Sequence, residues 1–131
     1  MKYFTPSEFQ HSITATAHNI DNTIPADALQ AITALVRHIL DPLRDAWGRP
    51  ITKTSGYRCP RLNRIVGGAP ASLHLTGCAA DITTGDPTLN RHLYQLIQDL
   101  HLPYFELIGK KYNFRWIHIS YNPHRPQRNP A

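Results

Sequence analysis

The chain has 131 residues, with 14 Lys and Arg against 9 Asp and Glu, for a formal charge of +5. That length suits one domain with a real core and is short for two, while 41% hydrophobic and 18% charged residues exclude a disordered polyelectrolyte. No apolar run approaches the roughly 20 residues of a membrane span, and Met1-Lys2-Tyr3-Phe4-Thr5-Pro6 lacks the apolar stretch of a secretory signal, so neither a membrane partner nor export by that route is expected.

Thr5-Pro6-Ser7-Glu8 reads as a helix start, with a Thr cap, Pro at the first position and Glu three residues after the cap. This helix is short and ends before Thr14. The polar stretch Ser12 to Thr23, with Asn19, Asp21 and Asn22, reads as a loop. From Pro25, the residues Leu29, Ile32, Leu35, Val36, Ile39, Leu40, Leu43 and Trp47 recur at steps of three and four and predict a long amphipathic helix. Pro42 kinks or splits it, and Gly48 with Pro50 ends it. Ile51 to Ser55 alternates and is rich in β-branched residues, which predicts a strand. A short helix over Pro60 to Val66 stops at Gly67-Gly68.

Ala79 to Thr83 predicts a second strand, and Thr88 to Leu100 an amphipathic helix with Leu89, Leu93, Leu96, Ile97 and Leu100 on one side. Tyr104 to Ile108 and Arg115 to Tyr121 predict two antiparallel strands around a turn at Gly109 to Asn113. The order of elements argues for an α+β fold, a small mainly antiparallel sheet packed against helices. Residues 1–131 are expected to form one domain. Within it, 1–24 make an N-terminal helix and loop, and the Pro-rich residues 122–131 a poorly ordered tail.

The basic balance, with a pI near 9.5, favours polyanionic partners such as bacterial cell wall. Nucleic acid is not expected among them, because the basic residues are scattered and no motif of defined geometry is present. Two cysteines, Cys59 and Cys78, are too few for a disulfide scaffold and read as reduced thiols. His11, His18, His38, His92, His101 and His124 are expected at the surface, and Trp47 and Trp116 in the core.

Chemistry concentrates at Ser72-Leu-His-Leu-Thr-Gly-Cys-Ala-Ala-Asp81 and at Trp116-Ile-His-Ile-Ser120. Period-2 alternation puts Trp116, His118 and Ser120 on one strand face and Ile117, Ile119 and Tyr121 on the other; Asp81 shares its face with Ala79 and Thr83. Two His and one carboxylate form a common ligand set for a catalytic zinc that keeps a position open. Taken singly, each residue has an ordinary alternative: a hydrogen-bonded core His, or a capping Asp.

Ser55-Gly56-Tyr57-Arg58-Cys59-Pro60, Asn63, Val66-Gly67-Gly68, Ser72-x-His74-x-x-Gly77-x-Ala79-x-Asp81-Ile82 and Trp116-Ile117-His118-Ile119-Ser120 occur in this order. The pattern, over roughly Thr23 to Tyr121, resembles the zinc D-alanyl-D-alanine carboxypeptidase family, which includes vancomycin-resistance D,D-dipeptidases and phage L-alanyl-D-glutamate endolysins. The resemblance implies the fold shared with the zinc-bearing signalling domain of hedgehog proteins. It also implies zinc as cofactor, with His74, Asp81 and His118 as its ligands. Arg58 is then the substrate and oxyanion arginine, with Tyr57 and Ser72 on the substrate side.

The implied activity is hydrolysis of peptide bonds in peptidoglycan stem peptides by a monomer that stays cytoplasmic until released to the wall. The chain departs from the family at the general base. Some branches place a Glu three residues before the last His ligand, where this chain has Arg115. The branch it resembles most closely has an acid just after the penultimate strand, where this chain reads Gly109-Lys110-Lys111. Glu106 is the nearby carboxylate. A fold that kept zinc but lost its base would instead be a catalytically impaired wall-binding module.

Overall fold

The structure, a computed structural model, describes residues 1–122. The expected tail from residue 123 onward, with His124, lies outside the described residues.

Helix α1 (Pro6–Gln10) begins at Pro6 as expected, but Thr5 makes no side-chain cap; its hydroxyl pairs with that of Ser7. The stretch expected as a loop holds a second helix, α2 (Ile13–Ala17), capped by the Ser12 hydroxyl, which accepts from the Ala15 amide at 3.1 Å. One buried residue, Ala15, anchors it, so it carries no hydrophobic period to be read. The long helical pattern becomes α3 (Ala26–Leu35), a π-helical turn over Val36–Leu40, and α4 (Asp41–Trp47). Pro42 has no amide to offer the preceding turn, and the wider turn, in which the Asp41 amide bonds Val36, absorbs that loss without breaking the helix. Gly48 closes it at φ 73°. Leu29 and Leu100, expected on the apolar faces, are 37% and 38% exposed.

Strands β1 (Thr52–Ser55), β2 (Ala79–Thr83), β3 (Glu106–Ile108) and β4 (Ile117–Ser120) form one antiparallel sheet in the order β1-β2-β4-β3. Helix α5 (Pro60–Ile65) follows β1, and α6 (Pro87–Asp99) joins β2 to β3. One sheet face carries Ala80, Ile82, Leu107, Ile117 and Ile119, all fully buried against Ile32, Leu35, Ile39, Leu93 and Ile97 of the helices. Burial of each such large side chain is worth about 1.5–3 kcal/mol. This core gives the opposite face a stiff support.

Register then decides what stands on that opposite face. Asp81 pairs with His118, Ser55 with Asp81, and Glu106 with Ser120. Cross-strand partners project to the same side, so Asp81, His118 and Glu106 share one face of three adjacent strands.

Candidate metal centre

His74 comes from outside the sheet. A 3₁₀ turn (Leu73–Thr76) carries it, started by the Ser72 hydroxyl, which accepts from the His74 amide at 3.2 Å, and closed by Gly77 at φ 78°. The same glycine lies against α3: a Cβ there would stand 2.4 Å from the Ala28 carbonyl oxygen. Gly77→Ala therefore suffers both left-handed strain and a backbone collision. It is expected to destabilise the chain by about 2–4 kcal/mol and to weaken metal binding with it. Urea unfolding of the metal-free chain checks this, and a change no larger than the roughly 0.5 kcal/mol of a neutral surface substitution would contradict it.

The ligating atoms of His74, Asp81 and His118 lie within 4.8 Å of one another. Asp81 Oδ1 is 3.2 Å from His74 Nε2 and 3.0 Å from His118 Nδ1. The far nitrogens of both rings are engaged as well. His74 Nδ1 lies 2.7 Å from the Gly56 carbonyl oxygen, and His118 Nε2 lies 2.9 Å from Glu106 Oε1. A carbonyl oxygen accepts only, so His74 Nδ1 carries the proton, whereas His118 meets a carboxylate oxygen at each nitrogen. Neutral His74 therefore turns the lone pair of Nε2 toward Asp81 Oδ1, and neutral His118 does the same with Nδ1 when its proton sits on the Glu106 side. Two ring nitrogens and a carboxylate oxygen converge on one point, an arrangement a cation satisfies.

Without a cation the centre takes up a proton. Burial opposes the charged form of His118, but hydrogen bonds to Asp81 and Glu106 outweigh burial, and its pKa is pushed up to about 9. Burial works to raise Asp81 too, yet hydrogen bonds from His118 and His74 hold its carboxyl well below the usual range. His118 thus binds its proton more tightly in the folded chain than in the unfolded one. The stability it contributes is complete below its ordinary value of 6.5 and is lost as pH rises through about 9. Asp81 contributes above its ordinary value of 3.8, and that part is lost only as pH falls far below it. The metal-free chain is expected to melt lower above pH 9 than at pH 6.5. Thermal melts in chelator across that window check this, and a flat profile would contradict it.

Arg58 borders the centre. Its Nη1 donates to Asn63 Oδ1 at 2.9 Å, its Nε to the Ser55 hydroxyl at 3.3 Å, and Nη2 stands 3.9 Å from Asp81 Oδ2. Burial lowers its pKa, the Asp81 charge raises it, and a guanidinium keeps its charge regardless. With its side chain only 15% exposed, it faces the cleft rather than forming a surface pair. Its own amide donates to the His74 carbonyl, tying the arginine to the metal turn. Tyr57 is 6% exposed and packs in the core while bordering the cleft; Ser72 borders it as well.

Residues 2–120 match the family model described as peptidase M15. The chain belongs to the peptidase M15 family. No curated protein matches it. M15 peptidases are metallopeptidases, and among the described residues the His74, Asp81 and His118 group could hold a metal.

Several features of this M15 cleft are not evident in the sequence. Trp116, expected in the core, is partly exposed, lines the cleft and stacks on Tyr112 with ring centroids 4.5 Å apart. Of the two lysines replacing the family acid, Lys111 lines the cleft, and Lys110 is exposed on the neighbouring 3₁₀ turn (Lys110–Tyr112). Buried asparagines hold the frame. Asn22 accepts from the Cys59 amide and donates to the Gln10 and Tyr57 carbonyls, while Asn63 donates to the Ala69 carbonyl and accepts from Arg58. Asn63 was visible as a motif residue. Asn22 looked like any turn residue, and only its burial at 6% exposure sets it apart. Cys59 and Cys78 are free thiols as expected. His11, His18, His38, His92 and His101 are exposed, with His38 stacked on Tyr121.

Proposed function

We propose that this M15 metallopeptidase is a zinc enzyme that hydrolyses peptide bonds in the stem peptides of peptidoglycan. The observation that carries the reading is the convergence of His74 Nε2, His118 Nδ1 and Asp81 Oδ1, with an acceptor behind each ring. Two nitrogens and one carboxylate oxygen suit zinc and leave a position for substrate. His74, Asp81 and His118 would hold the ion, and bound there it supplies Lewis acidity toward water and a carbonyl oxygen.

The chain's own groups do the rest. Arg58 offers forked donors beside the centre, fit for a substrate carboxylate or the oxygen on which negative charge develops. Among the described residues lining the cleft, Asp81 and Glu106 are the carboxylates. Asp81 is committed to the metal, so Glu106 is the group to take a proton from water onto a carboxylate oxygen and return it to the leaving amine. Tyr57 and Ser72 frame the substrate side. The formal charge of +5 suits a polyanionic wall, where a chain of this kind would act as a monomer after release from the cytoplasm.

A second reading is favoured by one observation. Glu106 bonds the His118 nitrogen that faces away from Asp81, and Lys111 stands at the cleft where the family carries an acid. If Glu106 stays on His118, the chain is a zinc-containing wall-binding module without turnover. Incubating the zinc-loaded chain with purified peptidoglycan, with a chelator-treated control, separates the two. Stem fragments seen by mass spectrometry only without chelator establish the peptidase, and wall binding with no fragments establishes the module.

A further inference from the structure

The metal cleft, of about 920 Å³, does not end at Arg58. A second cavity, also of about 920 Å³, adjoins it, and the two share His11, Ser12 and Lys53 in their walls. The path between them follows β1, the edge strand, from Ser55 beside Asp81 back to Thr52. Four strand residues span roughly 10 Å at about 3.3 Å each, the reach of three extended peptide residues. Helices α1 and α2 form the outer wall of the second cavity, contributing Glu8 and Thr16, and Asp21 stands in the loop after them. These are the elements whose role the metal centre leaves unexplained.

The balance of charge shifts along this path. Arg58, Lys111 and Lys53 line the metal cleft with Asp81 and Glu106, whereas Glu8 and Asp21 line the second cavity with Lys53 at the junction. Hydrogen bonds from Thr23 hold Asp21 below its usual carboxylate pKa, so it is ionised. Lys53 donates to the His11 carbonyl at 3.2 Å, which pins the ammonium at the boundary. An occupant complementary to this wall carries an amino group that reaches toward Glu8 and Asp21.

We propose that the second cavity is a subsite for the arm of a peptide substrate lying away from the scissile bond, and that it takes an amino-bearing residue between Glu8 and Asp21. This rests on the peptidase reading for the identity of the ligand, but its test does not need turnover. The full chain, held metal-free so that nothing is hydrolysed, is titrated calorimetrically with three probes. They are the dipeptide D-Ala-D-Ala, the pentapeptide L-Ala-D-Glu-L-Lys-D-Ala-D-Ala, and the same pentapeptide acetylated on the lysine amine. The pentapeptide is expected to bind about ten-fold more tightly than the dipeptide, and acetylation is expected to remove most of that gain.

Thr16→Trp, which fills the cavity from an exposed position, and the double variant Glu8→Gln with Asp21→Asn should each erase the gain. Zinc binding by each variant reports that it is folded. Equal affinity for all three probes, no binding of any, or a gain that survives Thr16→Trp would overturn the subsite. If zinc-loaded chain cleaves stem peptides while the gain is absent, the subsite fails and the peptidase reading stands. If the gain is present and Trp-sensitive but nothing is ever cleaved, the subsite stands and the peptidase reading falls.

Discussion

An Asp81→Ala chain is expected to bind zinc weaker by roughly two to four orders of magnitude, from the roughly 3–5 kcal/mol lost when one partner leaves a buried charged group. Asp81 is the hub of the centre: both imidazoles reach the same oxygen, and Arg58 approaches the other. Its removal leaves two nitrogens held in place by Gly56 and Glu106 but with no anion between them. The effect has a second readout in the metal-free chain. His118 owes its raised pKa to Asp81 and Glu106 together, so losing Asp81 should bring that value down toward 6.5. Chelator-competition titration measures the first effect, and NMR titration of the His118 ring measures the second. Zinc affinity within a few-fold of the parent would remove Asp81 from the ligand set.

His74, Asp81 and His118 were legible as a candidate group through the family resemblance, and strand alternation placed two of them. Alternation along Trp116 to Ser120 and along Ala79 to Thr83 says which side chains share a face, and the register that sets Asp81 opposite His118 comes from the structure. The strands, α5 and α6 carry strong periodic or β-branched signals, and they appear where expected, within two residues at each end. What stayed hidden depends on contacts between distant segments. Helix α2 buries a single residue, and the π turn before Pro42 answers a missing amide rather than a residue pattern. Trp116 looked like core because a large aromatic beside β-branched residues usually is; it stacks instead on Tyr112, four residues earlier in the preceding turn, at the cleft. Asn22 holds residues 35 and 37 positions away, which no local reading recovers.

The same limit applied to Glu106, whose strand face was legible but whose partner was not. Bonded to His118 Nε2, it orients a metal ligand; as the carboxylate left on the cleft once Asp81 is committed, it is also the proposed base. Two substitutions separate these roles. Glu106→Gln keeps an oxygen that accepts from the His118 ring and removes the group that takes a proton. Turnover should fall by about 10²–10⁴-fold, while zinc affinity stays close to that of the parent. Glu106→Ala removes both functions and should weaken zinc by about 10–100-fold as well. Glu106→Gln should also abolish the acidic limb of the pH–rate profile, because no carboxyl remains to lose its proton there. Steady-state kinetics and competitive zinc titration on the same preparations decide the matter. Turnover preserved in Glu106→Gln would confine Glu106 to holding His118. Lysine would then stand where the family keeps its acid with no carboxylate to replace it, and the proton would have to move by another route.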